Sequence, residues 1–140
     1  MKNFMLTGFM ILLFSGISCK GQPEKTEAVS IKSGNDVEVY YFHLNTRCVT
    51  CRTVEAEARK NVEILYPDLV KTGNISFIAL NLEEAAGKTI ADRFSVTGQT
   101  LLVVKGDQKI NLTNEGFLYA VSKPEKFKEI IKEKVDPLVK

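Results

Sequence analysis

The chain has 140 residues, 44% of them hydrophobic and 26% charged, with a formal net charge of +2. That is ordinary globular composition without an internal repeat or a low-complexity tract, which excludes a disordered or fibrous chain. So small a surplus of charge, with no basic patch, leaves no footprint for nucleic acid.

Residues 1–18 read as an export signal, with Lys2 as the basic start and Phe4 to Phe14 as an apolar core too short for a comfortable membrane span. Ser15-Gly16-Ile17-Ser18-Cys19 resembles a bacterial lipobox, in which a small residue precedes a cysteine that becomes diacylated and the new N-terminus; Gly16 stands where that pattern prefers Leu. The expectation is a membrane-anchored lipoprotein of the bacterial cell envelope, facing the periplasm and held by lipid on Cys19. An ordinary cleaved signal with an incidental Cys19 is the alternative. Residues 19–34 then form the lipidated cysteine and a polar tether containing Gly21, Pro23, Ser30, Ser33 and Gly34, against the alternative of a first strand through Ala28, Val29 and Ile31. The remainder, 35–140, is one domain of roughly 105 residues, enough to bury about two-thirds of its unfolded surface.

Within that domain the first element is an apolar strand, Val37 to Leu44, which delivers Arg47-Cys48-Val49-Thr50-Cys51-Arg52 onto a helix expected over Val49–Tyr66. Val54, Ala58, Val62 and Leu65 make its core stripe, and Tyr66-Pro67 kinks or ends it. Lys71-Thr72-Gly73-Asn74 turns into a near-continuous apolar strand, Ile75–Leu82, as expected for a buried central strand. Glu83-Glu84 reads as a solvated loop. A helix over Lys88–Phe94 follows, then strands over Leu101–Lys105 and Lys109–Leu112 joined by Gly106-Asp107, a pair with hairpin chemistry. Ser122-Lys123-Pro124-Glu125 has the form of a capping box for a last helix over Pro124–Val135.

Cysteines three apart at a helix start lie about one turn from each other, near enough to form a disulfide or to hold a soft ion together. The free N–H groups and dipole of that helix end favour a thiolate, and Arg47 and Arg52 add positive charge. Cys48, at the cap, is expected to be the open nucleophile and Cys51, inside the first turn, the resolving thiol. In an oxidising envelope such a dithiol implies a redox partner or a bound ion. His43, the single histidine, ends the strand near the thiols, where it tunes a thiolate, completes a metal site or bonds locally.

From Asp36 to about Lys134 the chain resembles the thioredoxin-like superfamily. The carrying segments are Val39-Tyr40-Tyr41-Phe42-His43 into Cys48-Val49-Thr50-Cys51, and Phe94 through Gly98-Gln99-Thr100 into Leu101-Leu102-Val103-Val104. Within it, Tyr41-Phe42-His43 with the Arg47–Cys51 segment is similar to a small bacterial group labelled as nitroreductase subunits associated with arsenic operons, although no flavin or nicotinamide fingerprint is present. The resemblance implies an α/β, minimal thioredoxin-like fold, a mixed four-stranded sheet flanked by helices. It also implies thiol–disulfide exchange at Cys48 and Cys51 with protein or small-molecule disulfide and thiol partners. The chain departs from the family in three places: Arg47 replaces the Trp before the first cysteine, Phe42 falls where a buried acid is expected, and Thr100, or Gln99, replaces the cis-proline that faces the cysteines. No resident cofactor is expected on the redox reading. The alternatives are capture of a thiophilic metal or metalloid ion by Cys48 and Cys51, and a thioredoxin-shaped interaction subunit without redox turnover.

Overall fold

A computed structural model describes residues 36–140; the expected signal, Cys19 and the tether lie outside the described residues. The elements run β1 (Val37–His43), α1 (Val49–Leu65), α2 (Pro67–Thr72), β2 (Ile75–Asn81), α3 (Ala85–Phe94), β3 (Thr100–Lys105), β4 (Gln108–Asn111), α4 (Thr113–Tyr119) and α5 (Pro124–Val135). The strands form one mixed sheet in the order β2-β1-β3-β4, so β2, expected as a buried central strand, is an edge strand with most of its residues half-buried, and β1 is central instead. β1 and β2 run parallel with Val37 beside Ile75, β3 runs antiparallel to β1 with Tyr41 beside Leu101, and β4 closes the edge with Ile110 beside Val103. This is the α/β architecture the resemblance implies.

The alternation of β1 explains why five of its seven residues, all but Glu38 and His43, are valines and aromatics. Val37, Val39 and Tyr41 pack against Val54, Ala58 and Val62 of α1 and Phe127, Ile131 and Val135 of α5. Tyr40 and Phe42 point the other way, into Leu80, Ile90, Ala91, Leu102 and Val104 beneath α3. A strand with helices on both sides favours apolar residues on both faces, and its one buried charged residue, Glu38, is met by the Tyr40 hydroxyl; the CxxC segment is thereby fixed at the carboxyl end of the central strand.

Several boundaries differ from the expectation for local reasons. α1 ends at Leu65, and Pro67 opens the separate short helix α2 instead of prolonging a kinked one. α3 begins at Ala85, three residues early, because Gly87 allows close approach: a Cβ there would sit 1.8 Å from the Asn81 carbonyl oxygen. The hairpin forms as expected, with Gly106 at φ 56° as the first residue of its two-residue loop. α4 is unexpected. Its Asn114 and Gly116 are poor helix formers, but Gly116 lets the helix lie on α1, where a Cβ would come 2.8 Å from Val54 Cγ1. The capping box does not form: Lys123 is the N-cap of α5 with no side-chain cap bond, and Ser122 Oγ donates back to the Leu118 carbonyl at 2.8 Å. Ser122 belongs to the turn that closes α4, which competes for its hydroxyl.

Candidate functional site

β1 ends at His43, and its carbonyl accepts from Leu82 N–H at 2.7 Å, so the strand ends of β1 and β2 leave the sheet together. The connection to α1 is then tied down by side chains. Asn81 Nδ2 donates to Asn45 Oδ1 at 2.7 Å and to Glu84 Oε1 at 3.1 Å, Glu83 N–H donates to Asn81 Oδ1 at 3.0 Å, and Asn45 N–H donates to the Glu83 carboxylate. Glu83 and Glu84, read from the sequence as a solvated loop, thus anchor the segment that carries the cysteines. Sequence reasoning had no signal for this, because the partners lie 36 and 38 residues apart.

Cys48 is the N-cap of α1, with extended backbone (φ −71°, ψ 167°), and its Sγ accepts from Cys51 N–H at 3.2 Å. A capping sulfur occupies the position where the unpaired donors and the dipole of a helix stabilise negative charge. Cys48 is exposed, whereas Cys51 is 5% exposed, and the two form a disulfide with Cα atoms 5.2 Å apart. The asymmetry of access is that of an attacking and a resolving thiol.

Beneath Cys51 lies Tyr41, fully buried, whose hydroxyl donates to the Cys51 carbonyl at 2.8 Å. Burial, reinforced by the Glu55 carboxylate and opposed by Arg47, pushes its phenol up to about 12. Tyr41 is a site residue the sequence did not reveal, because strand parity alone does not say which of Tyr40, Tyr41 and Phe42 faces α1. Phe42 faces α3 instead. A buried carboxylate does occur on β1, but it is Glu38, on the Tyr40 face at the opposite end of the strand, where it accepts from Tyr40 Oη at 2.9 Å.

The flanking arginines are partly committed. Arg47 pairs with Glu55, Arg59 reaches the other oxygen of the same carboxylate at 3.8 Å, and Arg52 Nη1 donates to the Arg47 carbonyl at 3.1 Å. His43 shares the Tyr41 face, its ring centroid 6.4 Å from that of Tyr41, and Nδ1 lies 3.1 Å from the Leu44 carbonyl, a contact made by the Nδ1–H tautomer. Thr100 opens β3 opposite Phe42, and its hydroxyl donates to the Gly98 carbonyl at 3.0 Å. Every peptide bond among the described residues is trans, including the one before Thr100. The structure therefore groups Cys48, Cys51, Tyr41, Arg47 and Glu55 around the first turn of α1, with His43 at the strand end, while the Thr100 side chain bonds within its own loop.

Among the described residues, no group of three or more His, Cys, Asp or Glu side chains could hold a metal ion, so the only thiophilic donors at the site are the two sulfurs. No helix among them is long and apolar enough to cross a membrane.

No protein-family model matches the chain. No curated protein sequence matches it either. Among solved structures it is similar to the zinc-bound form of human ERp44, with a TM-score of 0.51 and 13% identity over 71% of this chain and 27% of that one. The chain thus spans about a quarter of the length of ERp44. It is similar also to thioredoxin O2 from Arabidopsis thaliana in the oxidized state, with a TM-score of 0.47 and 16% identity over 71% of this chain and 76% of that one. A further likeness is to mitochondrial thioredoxin 3 from Saccharomyces cerevisiae in its oxidized form, with a TM-score of 0.43 and 24% identity over 71% and 79% of the two chains. Together with the strand order, the likeness to ERp44 shows the fold: a mixed four-stranded sheet of the thioredoxin-like kind, with a cysteine pair at disulfide distance where β1 meets α1.

Proposed function

We propose that this chain is a thiol–disulfide oxidoreductase anchored in the bacterial cell envelope by lipid on Cys19. The observation that carries the redox part is the contrast within the pair: an exposed Cys48 capping α1 and a Cys51 buried to 5% exposure one turn further on. In the reductive direction the Cys48 thiolate attacks one sulfur of a partner disulfide, forming a mixed disulfide and expelling the other sulfur as a thiolate. Cys51 then attacks Cys48 Sγ, the partner leaves as its second thiol, and the protein ends as the Cys48–Cys51 disulfide, two electrons poorer. Tyr41 holds the first turn of α1 on the sheet during both steps through the Cys51 carbonyl.

The anchoring part rests on the sequence of residues 1–19, and detergent phase partition with N-terminal mass analysis of Cys19→Ser against the parent tests it. The redox part is tested by reduction of insulin with a chemical dithiol as the electron source. Turnover that disappears in Cys48→Ser supports the reading. Turnover equal to that of the dithiol alone overturns it and leaves ion capture at the same sulfurs, which zinc or arsenite titration of the reduced protein would then measure.

A further inference from the structure

Beside the cysteines, a groove of about 380 Å³ runs along α1, lined by Arg47, Arg52, Glu55, Arg59, Lys60 and Glu63 around Ala56. Its charges are unequal: four cations face two carboxylates. They are also unevenly placed. At the end near Cys48, Glu55 is shared by Arg47 and Arg59, so one carboxylate serves two guanidiniums, and Arg52 has no carboxylate partner among the described residues. From Arg47 to Arg59 the groove therefore carries a surplus of two positive charges. Further along, Lys60 is already paired with Glu57 at 3.3 Å, and Glu63 adds a negative charge. Arg59 is held in place by Phe77 of β2, its guanidinium 4.6 Å above the ring centroid, so the basic stretch is anchored on the sheet as well as on α1.

Building on the redox reading, we propose that this groove seats an acidic polypeptide segment next to the cysteine of the partner disulfide, so that the protein exchanges preferentially with acidic protein disulfides. Arg59 lies eleven residues after the capping Cys48, about 16 Å along the helix axis. An extended peptide covers that distance in about five residues. A small disulfide attached at Cys48 reaches Arg52 but not Arg59, which is why a polypeptide is the occupant that fits. Guanidiniums pair with carboxylates through two parallel N–H donors, and Arg52 and Arg59 sit two turns apart, matching acids about three residues apart on an extended strand.

The test uses the reduced protein and three symmetrical peptide disulfides whose single cysteine is flanked by Asp and Glu, by Ser and Gly, or by Lys. Each reaction transfers two electrons from the Cys48–Cys51 dithiol, releases two peptide thiols that take the two thiol protons, and leaves the protein disulfide. The readout is the ratio of exchange rates, acidic over basic, at low ionic strength and in 1 M salt. The expected ratio is at least about fivefold at low ionic strength, falling towards one in high salt. Arg52→Glu should bring the low-salt ratio to one or below, while Lys88→Glu on α3, the same change in net charge beneath the opposite sheet face, should keep it. A ratio near one in the parent at low salt overturns the proposal, as does a Lys88→Glu effect equal to that of Arg52→Glu. Failure of all three peptides to react, the neutral one included, overturns the redox reading itself and this proposal with it.

Discussion

Replacing Tyr41 by Phe removes one hydroxyl from a fully buried side chain and leaves the ring in the core formed with Val54, Leu101 and Phe127. What is lost is the hydrogen bond to the Cys51 carbonyl at 2.8 Å. That carbonyl lies in the first turn of α1, so its oxygen retains its helical role and is not stranded. The expected cost is therefore that of one net hydrogen bond, about 1 kcal/mol, or a fall of about 4–8 °C in Tm for a domain of this size. A second signature follows from the phenol. Its ionisation is pushed up to about 12 by burial in the folded state, against the ordinary tyrosine value of 10.0, so the unfolded chain releases this proton first. The stabilisation it represents is complete below pH 10 and is lost as the pH rises towards 12, at no more than about 1.4 kcal/mol per pH unit for the group. Tyr40 and Tyr66 are shifted in the same direction by burial and by hydrogen bonds to Glu38 and Asp136, and they remain in the variant. Denaturant unfolding at pH 7 and pH 11 should thus find Tyr41→Phe less stable at neutral pH, with the gap to the parent narrowing or reversing at alkaline pH. A variant within about 0.3 kcal/mol of the parent at pH 7, or a gap that does not change with pH, refutes the reasoning.

Gly87→Ala drives a Cβ to 1.8 Å from the Asn81 carbonyl oxygen, a backbone atom that cannot swing away, and should cost about 3 kcal/mol or more in chemical denaturation, with the Asn45–Asn81 tie loosened in hydrogen exchange. Ser122→Ala should change stability by less than about 0.5 kcal/mol, because the hydroxyl bonds the Leu118 carbonyl and caps nothing; a loss near 1–2 kcal/mol would restore the capping box. Glu55→Gln frees both Arg47 and Arg59 from their shared carboxylate, so reduced Cys48 should be alkylated faster at neutral pH; slower alkylation would contradict the sign of the local field.

The sheet was legible because its pattern is carried by single residues in sequence. A run of valines and aromatics in β1 says that both faces are covered, and the cysteine spacing after it marks the helix start. Less was legible where a position depends on register or on a distant partner. Whether Tyr41 or Phe42 faces α1 follows from the pairing of Tyr41 with Leu101, which no local pattern announces. Arg47 could be seen as a charge but not as the partner of Glu55, eight residues on and across the turn from loop to helix. α4 escaped because its helix is sustained by tertiary packing of Gly116 on Val54 against poor intrinsic propensity. Ser122 misled because two neighbouring helices compete for one hydroxyl, and the sequence of the second matches a box that the first has already emptied.

The central claim, that Cys48 attacks and Cys51 resolves, is tested most directly by trapping the mixed disulfide with a neutral small disulfide and locating it by peptide mapping. Reduced Cys51→Ser is predicted to accumulate a stable adduct on Cys48. The parent should pass through that adduct to the Cys48–Cys51 disulfide, and Cys51 in Cys48→Ser should react far more slowly because it is 5% exposed. Equal adduct on Cys51 in Cys48→Ser, or no adduct in either variant while the parent also fails to oxidise, would contradict the account.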